Sequence, residues 1–276
     1  MPLVAAAVCP HPPLIVPELA GAAAPELAEL RTACAAAVTA LYAAGASTIV
    51  LVGSGEHTAE LDLPCQGSFA PWGLPLAVGL GARSAGPAVL PGRAGEVGRV
   101  GRSPGGADGR VESSIGVDGT RRLPLSLLVG AWLVDRVAPS SPTTWRMVSV
   151  APDEPVDRCA AVGARLGVDG PWALLALGDG SACHGPKSPG YEDPRAGAYD
   201  GGVGRALADA DADALLGLDP GVSAELLVAG RPAWQVLAGA VRAAGGDWRG
   251  ELRHHSTPYG VGYLVASWAR AGGPAW

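Results

Sequence analysis

The sequence lacks the marks of several common protein classes. Its five cysteines, Cys9, Cys34, Cys65, Cys159 and Cys183, are odd in number, widely spaced and never arranged as CxxC. That pattern argues against a disulfide framework or a zinc ribbon, and reduced thiols are expected. No segment joins a basic cluster to interleaved aromatics, and the net charge is −6, so no nucleic-acid-binding face is expected. No uncharged apolar run reaches the roughly 18 residues of a membrane-spanning helix. The nearest, "ACAAAVTALYAAGASTIVLVG", is divided at Gly45, after which β-branched residues take over. Near the N-terminus, Pro10, Pro12 and Pro13 interrupt what would have to be the apolar core of a signal peptide. The chain therefore reads as a cytoplasmic protein with no membrane or nucleic-acid partner.

What is present is enough apolar material for a full core. Hydrophobic residues make up 48% of the 276 residues and charged residues 17%. Residues 3–8 read as a short buried strand. Pro25 opens a helical stretch that Gly45 stops, and residues 47–53, "STIVLVG", form a continuous β-branched run. Strand, helix, strand is the βαβ pattern of a parallel sheet. Further strands are expected at 74–81, 145–151 and 172–177 and in the closing "YGVGYLVASWA". Helices are expected over 123–137 and 155–167, from "AYDGGVGRALADAD", and over 220–230 and 232–245. Residues 82–120, rich in Gly, Arg and Pro, read as an irregular insertion. The expectation is one α/β domain spanning 1–276, with a mostly parallel central sheet flanked by helices.

Three of the five histidines share one setting. His11 follows the first strand among three prolines, His57 follows the strand at 47–53, and His184 follows the strand at 172–177. Loops at the carboxyl ends of parallel strands converge on one crevice, so three strand-end histidines are expected to meet there. Neutral imidazole is the commonest metal ligand, and two histidines with one carboxylate leave open positions on an Fe(II) ion. A third histidine off the metal could move protons. The prolines around His11 would fix its loop; the plainer reading is a rigid strand exit.

Other motifs compete less well. "GSGEHT" follows a strand but has Thr58 where a dinucleotide loop has its third glycine. Ser181 is not in a G-x-S-x-G elbow. Cys183 and His184 are chain neighbours, and neighbours in an extended chain point opposite ways. Tyr191, Tyr199 and Tyr259 lie in loops near these motifs, where each could orient a phenolic substrate or simply pack. His254 and His255 lie in a polar stretch before the last strand, and His255 is kept as a pocket-lining candidate.

"VCPHPPLIVPELAG", "LVGSGEHT", "LGDGSACHGPKSPGYEDPRAGAYD" and "STPYGVGYLVASW" resemble the catalytic-subunit fold of class III extradiol ring-cleavage dioxygenases and its Memo-like relatives, closest to alanine-rich actinobacterial members. The resemblance covers most of the chain apart from the Gly/Arg-rich stretch. It implies an Fe(II) enzyme that opens a catechol-type ring with O2; Zn(II) is kept as a possible ion beside it. It implies His11 and His57 as metal ligands and His184 as the acid/base residue. A homo-oligomer or a second subunit that closes the site would fit the family. Two departures stand out. Two extra residues separate Ser181 from His184, relative to the family's Asp-x-Ser-His motif. Val228 and Ala229 occupy the place of the acidic ligand, leaving Glu225, one helical turn earlier, as the candidate. The alternative is a relative without ring-cleavage activity, acting as a metal-binding or scaffold protein; a zinc hydrolase on the same ligands is a third reading.

Overall fold

The computed structural model describes residues 2–80, 123–137, 144–167 and 169–272. The predicted insertion at 82–120 lies outside the described residues. The strands are β1 (Leu3–Cys9), β2 (Thr48–Ser54), β3 (Ala59–Leu61), β4 (Cys65–Ser68), β5 (Ala77–Leu80), β6 (Thr144–Val150), β7 (Trp172–Leu177), β8 (Trp248–Ser256) and β9 (Tyr263–Arg270). The helices are α1 (Pro17–Ala20), α2 (Ala28–Ala43), α3 (Leu125–Val137), α4 (Val156–Ala164), α5 (Ala196–Asp209), α6 (Ala212–Leu216), α7 (Pro220–Glu225) and α8 (Arg231–Ala244).

Seven strands form one sheet in the order β3-β6-β2-β7-β1-β9-β8. The four central strands, β6, β2, β7 and β1, are parallel. They are also the apolar runs that read most clearly as buried strands. β3 pairs antiparallel with β6, and β9 pairs antiparallel with β1 and with β8. The sheet is therefore mixed, and the expectation of a mostly parallel sheet is corrected to a parallel centre with antiparallel edges. The physical reason is connection length. Only a short turn separates β8 from β9, and a parallel pair needs a crossover of a dozen or more residues.

Side-chain alternation splits the core in two. Ala5, Ala7, Ile49, Leu51, Leu175 and Leu177 pack on one face with α2 and α3. Ala6, Val8, Val50, Val52, Leu174 and Ala176 pack on the other with α4, α5 and α8. This period-two division is why the central strands are apolar throughout: both of their faces are covered. The expected strand at 74–81 shortens to β5 and pairs with β4 in a separate two-stranded sheet. The polar stretch holding His254 and His255 is itself a strand, β8, at the sheet edge. All five cysteines are free and buried. Among the described residues, no helix is long and apolar enough to cross a membrane.

Candidate functional site

The carboxyl ends of β1, β2 and β7 open onto loops that are stitched together by backbone hydrogen bonds. Gly178 N–H donates to Cys9 O (3.0 Å), and Gly230 N–H donates to Asp179 O (2.8 Å). The Ser54 hydroxyl, at the end of β2, donates to Ala229 O (2.6 Å). The segment after β7 also zips to the turn before β9. Gly180 N–H donates to Gly262 O (2.7 Å), Gly262 N–H to Ser181 O (2.8 Å), and His184 N–H to Gly260 O (3.1 Å).

His184 is the group of this region with a close, buried carboxylate partner. Its Nε2 lies 2.7 Å from Asp200 Oδ2. Asp200 sits on α5 and is fully buried. Its carboxylate also accepts the Ser181 N–H, at 2.9 and 3.2 Å to the two oxygens. Two glycines make room for it: a Cβ on Gly180 or on Gly262 would overlap the carboxylate. A carboxylate accepts and does not donate, so it holds the imidazole proton on Nε2. Nδ1 then carries the lone pair, and the side chain retains some exposure through which a substrate proton can be taken. Sequence reading named His184 as a candidate and did not name Asp200, whose sixteen-residue separation and helical position leave no local signal.

His11 is buried at the end of β1. Its backbone N–H donates to Asp179 Oδ1 (2.7 Å), and its Nδ1 lies 3.6 Å from the same oxygen. That Nδ1 is buried and has no hydrogen-bond partner among the described residues. Burial pushes the Asp179 carboxyl above its ordinary value, against the opposing pull of His11 beside it.

His57 stands elsewhere. Its side chain is 68% exposed and loosely paired with Glu56 at 3.7 Å. The ring lines a hollow of about 530 Å³ together with Glu56, Asp153, Glu154, Arg158 and Arg165. His11 is not part of that lining. Glu225 is also turned outward: its side chain is 61% exposed, and its Oε2 accepts Arg195 Nη1 at 2.7 Å. Arg195 is held in turn by Asp193, whose carboxyl it lowers to about 2.

Among the described residues, no three His, Cys, Asp or Glu side chains stand close enough to hold one metal ion. His11, His57 and Glu225 thus do not fit an Fe(II) or Zn(II) centre as they are arranged. The physical reason lies in the partners each has found: Glu225 has a guanidinium, and His57 has solvent and Glu56. Of the other candidates, Tyr191 is exposed in the loop after His184, and the Tyr259 hydroxyl donates to Glu26 Oε2 (2.7 Å). His255 is exposed on edge strand β8, with α5 at Gly204 beneath its ring.

No family model matches the chain, and no curated protein matches it. Among solved structures, it is similar to the crystal structure of uncharacterized protein JW3007 from Escherichia coli K12. The likeness covers 96% of this chain and 99% of that one, with 13% identity and a TM-score of 0.50. The likeness is one of fold. It carries the α/β architecture and leaves the chemistry to the residues themselves.

Proposed function

We propose that this chain is a small-molecule-binding relative of the class III extradiol dioxygenases that handles a proton through His184 and lacks the three-ligand iron centre of ring cleavage. The observation that carries this reading is the Glu225–Arg195 pair. A metal-binding carboxylate must present free lone pairs to the ion, and this one presents them to a guanidinium at the surface. The 228–230 segment does reach the strand ends, through Ser54 and Asp179, but it brings Val228, Ala229 and backbone there. Neither side chain can ligate.

What remains is proton chemistry. Asp200 fixes the tautomer of His184 and leaves Nδ1 as the acceptor for a substrate proton. A phenolic or otherwise weakly acidic hydroxyl is the group such a base serves. The dioxygenase reading keeps one observation in its favour, the unpartnered, buried Nδ1 of His11.

One experiment separates the two. The protein is reconstituted anaerobically with Fe(II), desalted, assayed for iron, and placed in an oxygen electrode with a panel of catechols. The expected result is iron well below one per chain and no catechol-dependent oxygen uptake. Stoichiometric iron with oxygen uptake would overturn the proposal and restore ring cleavage.

A further inference from the structure

Helix α4 differs between its two sides. Cys159 and Gly163 are buried, and Gly163 lies against α8. Arg158, Val162 and Arg165 recur at the i, i+4, i+7 spacing of the opposite side, and all three line the hollow of about 530 Å³ that holds His57. The loop after β2 forms its other wall, tied to β6 and the loop that follows it. The Ser149 hydroxyl donates to His57 O (2.7 Å), and Ala151 N–H donates to the Thr58 hydroxyl (3.0 Å). The Thr58 hydroxyl donates in turn to the Glu154 carboxylate. The hollow therefore stands at the carboxyl ends of β2 and β6, which are adjacent and parallel. The next helix after β2, α3, covers one face of the sheet, and the next after β6, α4, covers the other. Open α/β sheets take their ligands at such points, in sites of roughly 300–1,000 Å³.

The positive charges around this hollow lack strong counter-charges. The Arg165 guanidinium has no hydrogen bond or ion pair among the described residues. Arg158 reaches Glu154 at 4.0 Å, and that carboxylate already serves Thr58. Arg231, at the start of α8, is fully buried. It donates to Pro152 O (2.6 Å), Glu154 O (2.9 Å) and Gln235 Oε1 (2.8 Å), all neutral acceptors. A buried charge without a counter-ion is costly. This one stands behind the segment whose Ala151, Asp153 and Glu154 line the hollow. Two further carboxylates remain open: Asp153, and Glu56, loosely paired with His57 at 3.7 Å. Such groups accept hydrogen bonds from hydroxyls.

We infer that this hollow is a binding site for a small polyhydroxylated anion, a sugar phosphate or a sugar acid. Arg158 and Arg165 take the anionic group, for which the guanidinium fork is suited. Glu56 and Asp153 accept the hydroxyls. A bare inorganic anion would meet those carboxylates with repulsion alone, and a neutral polyol would leave both guanidinium groups unanswered. An apolar ring would find only Ala151 and Val162. His184 and Asp200 are not part of the lining, so the inference stands apart from the proton chemistry assigned to them.

The test is isothermal titration calorimetry on the whole protein in phosphate-free buffer. The probes are glucose 6-phosphate, gluconate, glucose and inorganic phosphate. Submillimolar binding is expected for glucose 6-phosphate or for gluconate, and the tighter of the two identifies the anionic group. Glucose and inorganic phosphate should each bind at least about tenfold more weakly than that probe. Arg158→Gln and Arg165→Gln should each weaken it about fivefold or more, and Asp153→Asn about threefold. Arg165→Gln removes a side chain without a partner, so its Tm should stay within about 2 °C of the wild type. Its loss of binding is then separate from any loss of fold. Failure of both anions to bind, or arginine variants that bind like the wild type, would overturn the site. Inorganic phosphate binding as tightly as glucose 6-phosphate would overturn the role given to the hydroxyls.

Discussion

Asp200 concentrates the residue-scale energetics of the site. It is fully buried and is paired with one imidazole and one backbone N–H. Asp200→Ala would strand both donors in a dry setting, and the expected cost is about 2–4 kcal/mol by urea denaturation. Asp200→Asn keeps the volume but offers an NH2 group where His184 donates, so the imidazole should change tautomer or swing away. Nitrogen chemical shifts of the histidine side chains would record that change, and an unaltered His184 signal would contradict the assigned pairing. Gly262→Ala drives a methyl into the carboxylate and should unfold the same region. Glu225→Gln removes only an exposed ion pair and should cost at most about 1 kcal/mol. The legibility of these residues follows from their physics. His184 was readable because strand ends converge by topology. Asp200 was not, because its role depends on two glycines far apart in the chain that leave it space. Glu225 looked available in sequence because nothing local shows that Arg195, thirty residues earlier, lies within reach.

At the scale of elements, α4 and α8 cross with backbone against backbone. A Cβ on Gly163 would overlap the Val236 carbonyl, and one on Gly239 would overlap that of Ala160. Alanine is the better helix former by about 1 kcal/mol, but here the obstacle is backbone that cannot swing aside. Gly163→Ala should therefore destabilise the protein by about 2 kcal/mol net, seen as a fall of roughly 5 °C in Tm. An unchanged or raised Tm would mean that the helices separate freely. At the β3 edge of the sheet, Arg146 on β6 grips Glu60 on β3 through two hydrogen bonds of 2.6 and 2.8 Å. The Arg146 hydrogen bonds hold the Glu60 carboxyl below its ordinary value of 4.5. A depressed carboxyl contributes stability above its unfolded pKa and loses it as pH falls through the folded value. Wild type should thus exceed Glu60→Gln by on the order of 0.5 kcal/mol at pH 7. The gap should close in melts taken at pH values below the ordinary glutamate range. The central strands were legible because burial on both faces demands continuous apolar runs. Edge strand β8, "WRGELRHHS", was not, because one of its sides meets water and its polar residues imitate a loop.

For the whole molecule, metal dependence is the property that tests the family resemblance most directly. A ligand that binds only the folded state stabilises it by mass action, about 2.7 kcal/mol at one hundred times its dissociation constant. For a chain of this size that corresponds to a rise of roughly 5–10 °C in Tm. A three-ligand centre built from His11, His57 and a carboxylate would meet that condition at modest excess of Fe(II) or Zn(II). The observed geometry divides the two histidines between a buried corner beside Asp179 and an open hollow beside Asp153 and Glu154. Thermal melts with EDTA, with anaerobic Fe(II) and with Zn(II) should therefore agree within about 1 °C. A metal-dependent rise of 5 °C or more that His11→Ala and His57→Ala each abolish would show that the loops close around an ion. Glu225 would then have to leave Arg195 or another carboxylate would have to take its place, and Glu225→Gln would tell which: loss of the rise assigns the ligand to Glu225, and its persistence assigns it elsewhere.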